Sequence, residues 1–127
     1  MGRTILLIDL SKKNLKSAGI FTSALAIFVT IISLDFNAYF HLEAALLTTG
    51  GSVGYTLIVS KEKSIASRIS EGAMFFGWLG LLIAWTHIAY NGFFNFSPDE
   101  LGVAVAYSIH PLLYGLIIKF FSLAFED

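Results

Sequence analysis

The stretch "GAMFFGWLGLLIAWTHIAYNGFFNFSP", residues 72–98, runs for 27 residues without an Asp, Glu, Lys or Arg. The bilayer core takes roughly 17–25 helical residues to cross. A continuous apolar run of this length reads as a membrane helix and not as a strand, because it does not alternate. Working outward, three more charge-free runs appear, at residues 17–34, 44–60 and 101–118, and apolar character resumes after Lys119. These runs predict an all-α integral membrane protein with four transmembrane helices, at about 17–34, 43–60, 72–95 and 101–124.

Composition agrees. The 127 residues are 56% hydrophobic and 13% charged, where a soluble domain carries about 25% charged residues. Mean hydropathy is +0.75. There are twelve Phe and no Cys, so disulfides and thiolate metal sites are excluded. A net charge of −1 gives no reason to expect nucleic acid as a partner. No small-residue cleavage site closes the first apolar run, so it is not expected to be a signal peptide.

The basic residues set an orientation. Arg3, Lys12, Lys13 and Lys16 precede the first run, Lys61, Lys63 and Arg68 lie between the second and third, and Lys119 is near the end of the fourth. All eight fall on one side of a four-span chain, which makes that side, and both termini, cytoplasmic. The outer loops "DFNAYFHLE" (35–43) and "NFSPDE" (95–100) are short and acidic. In residues 1–16, apolar "TILLIDL" is followed by basic "SKKNLK", which reads as a cytoplasmic interfacial segment with lysines at the headgroups. The inner loop "KEKSIASRISE" (61–71) is too short for a soluble domain, and nothing repeats, so residues 1–127 are expected to form a single membrane domain surrounded by lipid.

Small residues gather along the runs. Gly50, Gly51 and Gly54 are in the second, Gly77 and Gly80 in the third, Gly102 and Gly115 in the fourth. They let helix backbones approach closely in lipid, within one subunit or between subunits.

Few polar groups lie at depth. Thr86 and His87 are in the outer half of the third run, and Ser108, His110 and Tyr114 are in the fourth. An ionisable residue inside a membrane is a functional candidate, and a neutral imidazole can pass protons near neutral pH. The structural alternative is an imidazole bonded to a neighbouring helix's carbonyl. Pro111 cannot bond back to the carbonyl of Tyr107 and predicts a kink beside His110. The three histidines lie on different segments and suggest no metal-ligand set, and no cofactor motif or catalytic grouping is present, so no enzyme is expected.

Two stretches, "YFHLEAALLTTGGSVGYTLIVSK" (39–61) and "GWLGLLIAW…SPDELGVAVAYSIHPLLYGLII" (77–118), resemble the second, third and fourth membrane helices of MotA/PomA flagellar stator subunits. Gly77 and Gly80 match the third-helix pattern. Pro98, Leu101 and Gly102 match the outer turn, Ala104 and Ala106 follow, and Tyr114 and Gly115 match the close. The resemblance implies a MotA/TolQ/ExbB-like subunit of the bacterial inner membrane, forming a homo-oligomeric ring, a pentamer by family analogy. The ring would surround the helices of a single-span MotB/ExbD-like partner in a proton-driven motor, with Ser108, His110, Tyr114, Thr86 and His87 as candidate ion-path residues. The departures are specific. The family's third-helix threonine falls on Leu81, its fourth-helix threonines on Pro111 and Leu112, and its third-helix proline near Met74. The large cytoplasmic insertion is missing. These departures keep a second reading open, a non-conducting scaffold or accessory protein of the flagellar motor that shares only the packing.

Overall fold

The structure is a computed structural model and describes residues 2–59 and 61–126. Among these, all regular structure is helical: α1 (Gly2–Leu34), α2 (Phe36–Tyr39), α3 (Leu42–Ile58), α4 (Ile65–Asn91), a 3₁₀ turn (Phe93–Asn95) and α5 (Pro98–Ser122). The chain divides into two compact units, Met1–Phe36 and Asn37–Asp127.

The first unit is in essence α1, 33 residues with none buried. It does not begin at residue 17. It starts at Gly2 and runs through Lys12, Lys13 and Lys16, because "SKKNLK" contains no breaker and lysine is a good helix former. Thr30 and Ser33 bond back to the carbonyls of Ala26 and Val29, so their hydroxyls need no outside partner.

In the second unit α4 packs most extensively against α5, and α3 lies across both. Helix boundaries follow local chemistry. Ser64 caps α4, accepting a hydrogen bond from the Ser67 N–H. A capping box starts α5: the Ser97 hydroxyl accepts from the Glu100 N–H, and the Glu100 carboxylate accepts from the Ser97 N–H. At the other end of α3, the Arg68 guanidinium donates to the Thr56 carbonyl at 2.8 Å, satisfying a C-terminal orphan acceptor. Nearby, Lys63 donates to Glu71, and this bond raises the lysine pKa above its usual value.

The core is lined by small and polar residues. Ala73, Thr48 and Ser108 are fully buried, and Ser52 is 2% exposed. The large apolar side chains point outward: Phe94, Tyr90, Ile58, Leu57 and Leu46 are all more than half exposed. A soluble protein does not present apolar surface on this scale. In lipid the arrangement is the expected one, since helices there associate by close backbone approach. Three helices, α1, α4 and α5, are long and apolar enough to cross a membrane. α3 has 17 residues, about 25 Å at the helical rise.

The small residues make these contacts in part. A Cβ on Gly77 would lie 3.1 Å from the Pro111 carbonyl oxygen, one on Gly80 2.6 Å from the Pro111 ring, and one on Gly115 2.5 Å from the Ala73 carbonyl oxygen. Gly51 holds the ring of Phe76, and Gly72, not singled out from the sequence, holds Ser52 and Tyr55. Gly50, Gly54 and Gly102 face open space.

Candidate functional site

Residues 37–41 connect toward α3, and they do so at the middle of α5. Tyr107, His110 and Tyr114 recur at three- and four-residue spacing, so they share one stripe of that helix. His110 is 4% exposed, and its Nε2 lies 2.6 Å from the Ala38 carbonyl oxygen. A carbonyl only accepts, so Nε2 carries the proton in the neutral ring and Nδ1 is a bare lone pair. That Nδ1 is buried and without a hydrogen-bond partner among the described residues. The Tyr114 hydroxyl donates to the Tyr39 carbonyl and accepts from the His41 N–H at 2.7 Å. One phenol therefore clamps both ends of the turn.

His41 completes the cluster. It is the N-cap of α3, and its Nδ1 accepts from the Ala44 N–H at 3.4 Å. Its ring stacks on Tyr107 with centroids 4.5 Å apart, and the His110 ring centroid is 5.9 Å away. Its Nε2 lies 3.8 Å from a carboxylate oxygen of Glu43. Two of the three histidines, on different segments, are thus neighbours. The sequence carries one weak signal for this, a histidine in the N-cap position before an apolar helix. Among the described residues no group of three or more His, Cys, Asp or Glu is placed to hold a metal ion.

The other candidates are engaged locally. The Ser108 hydroxyl is buried and donates to the Val105 carbonyl of its own helix. Thr86 is exposed and bonds back to Leu82. His87 is exposed and meets Asn91, whose amide donates to the His87 carbonyl at 2.8 Å. α5 is helical without interruption from Pro98 to Ser122, through Pro111, and the Pro111 carbonyl accepts from the Thr48 hydroxyl at 3.3 Å. Pro111 acts here as packing, seated against Gly77 and Gly80.

Two adjoining open grooves border the cluster at His41 and Tyr107. The outer one, about 850 Å³, lies between α4 and α5 and is lined by His87, Asn91, Asp99, Glu100 and Tyr107 among others. The inner one, about 350 Å³, shares His87, Ala104 and Tyr107 with it and adds His41, Glu43 and Ser108. The arrangement places Asp99 and Glu100 at one end, a histidine on the wall, and beside it an imidazole–phenol cluster in which His110 is buried and Tyr107 is exposed.

The chain matches no protein-family model, no curated protein and no solved structure.

Proposed function

We propose that the chain is a bacterial inner-membrane subunit of the MotA/TolQ/ExbB kind, with four spans and both termini cytoplasmic. In this reading it assembles with copies of itself, as a pentamer by family analogy, around the transmembrane helix of a single-span MotB/ExbD-like partner. The observation that carries the membrane-assembly part is the inverted burial: small polar residues inside, and large apolar side chains outside on helices of 33, 27 and 25 residues. The motor part rests on the sequence resemblance, which is an analogy of pattern. α3 would be the fourth span, at the short end of the crossing range. Native mass spectrometry of the detergent-solubilised complex, with co-purifying chains identified, tests the proposal. A ring with a single-span partner is the expected result, and a lone monomer overturns it.

The second reading, a non-conducting scaffold, is favoured by specific contacts. The hydroxyls of Ser108 and Tyr114 and the Nε2–H of His110 all bond backbone carbonyls of this chain. In this role they hold the fold. The proton-carrying reading then narrows to the bare Nδ1 of His110. Proton flux into vesicles containing the chain and its partner separates the two: flux lost in His110→Gln with assembly intact supports carriage, and full flux in that variant excludes it.

A further inference from the structure

We propose that His41 is a pH-operated latch on the first turn of α3: neutral, it caps the helix, and protonated, it lets the cap go. This rests on the geometry of the second unit and not on the motor reading.

The cap requires an acceptor. His41 Nδ1 receives the Ala44 N–H, one of the amides at a helix start that has no partner within the helix. The neutral ring must therefore carry its hydrogen on Nε2. Adding a proton puts a hydrogen on Nδ1 as well, so donor then faces donor and the cap is lost. The new charge also sits at the positive end of the α3 dipole. It lies 5.9 Å from the ring of His110, which is already donating through Nε2.

The titratable groups around His41 come from each packed element. Tyr39 is on the turn and Glu43 on α3. Tyr107, His110 and Tyr114 are on α5, and His87 of α4 lines the same groove. Glu43 is the anion among them. Its carboxylate is 3.8 Å from His41 Nε2, and its side chain is 89% exposed. The His41 backbone N–H donates to the Tyr114 hydroxyl, and side-chain rotation leaves that bond in place.

Two measurements decide it. Imidazole ¹⁵N shifts of the wild-type protein in nanodiscs at about pH 8, above the range in which imidazole titrates, are expected to show His41 with Nδ1 unprotonated. An Nδ1–H tautomer overturns the latch. Amide exchange at residues 44–46, corrected for intrinsic chemistry, is expected to quicken about fivefold between about pH 8 and pH 5, the size of a lost cap. His41→Asn keeps a capping acceptor that does not titrate, and it is expected to remove this dependence. Wild-type exchange that ignores pH overturns the proposal, as does His41→Asn with the wild-type dependence. If His41→Asn does not fold, the two wild-type measurements decide alone.

Discussion

Tyr114 and Ser108 are both hydroxyls on α5, and the structure gives them different weights. The Tyr114 hydroxyl bonds two backbone groups far away in sequence, Tyr39 O and His41 N. The Ser108 hydroxyl bonds only Val105, three residues back. Tyr114→Phe therefore leaves two part-buried backbone groups without their partner and is expected to cost about 1–3 kcal/mol. Ser108→Ala is expected to stay within about 0.5 kcal/mol, since it removes a local bond whose acceptor already serves the helix. Reversible unfolding in mixed micelles measures both. Equal effects would mean that the clamp on the turn contributes nothing. Sequence reading placed both residues, with His110, as ion-path candidates, because a polar group at depth is visible in a string of apolar ones. Their partners were not visible: the contact from His110 to Ala38 spans 72 positions, and no spacing rule reaches that far.

At the scale of helices, glycine positions separate contacts within the chain from surfaces left open. Gly115→Leu and Gly80→Leu put side chains where Ala73 and Pro111 already are, and overpacking of this kind costs about 1–3 kcal/mol or more. Loss of folded protein is the expected outcome, not release of folded subunits. Gly50→Leu, Gly54→Leu and Gly102→Leu meet nothing within the chain. These are expected to fold, and native mass spectrometry on them reads whether a neighbouring copy lies there. Unchanged folding in Gly115→Leu would contradict the α4–α5 contact. The sequence could not make this division, because a small residue shows only that close approach is possible, not which partner makes it. Long helices were legible from their charge-free runs. Their ends were less so: α4 begins at Ile65 because Ser64 can cap it, although Arg68 and Glu71 interrupt the apolar run, and α1 continues through its lysines because caps and breakers, not hydropathy, decide where a helix stops.

Across the second unit the basic residues gather at one end, with Glu62 and Glu71 among them. Lys61, Lys63 and Arg68 lie around the α3–α4 connection, and Lys119 is in the last turn of α5. Glu43, Asp99 and Glu100 lie at the starts of α3 and α5. Cysteines at Glu62 and Asp99, both exposed and neither a cap, are expected to react with impermeant reagent from opposite faces of the membrane, with position 62 cytoplasmic. Reaction from one face removes the orientation and the four-span reading together. The same unit has an uneven height. α3 is eight residues shorter than α5 (25 − 17), about 12 Å along the axis, and its first residues sit beside Tyr107, nine positions below the start of α5. With α3 as a lipid-facing span, as proposed, lipid beside it would thin relative to lipid beside α4 and α5, at a fraction of a kcal/mol per Å of mismatch. A bilayer stretched between two thicknesses around one small protein carries a line tension. That tension falls whenever another protein, in place of lipid, covers the low arc.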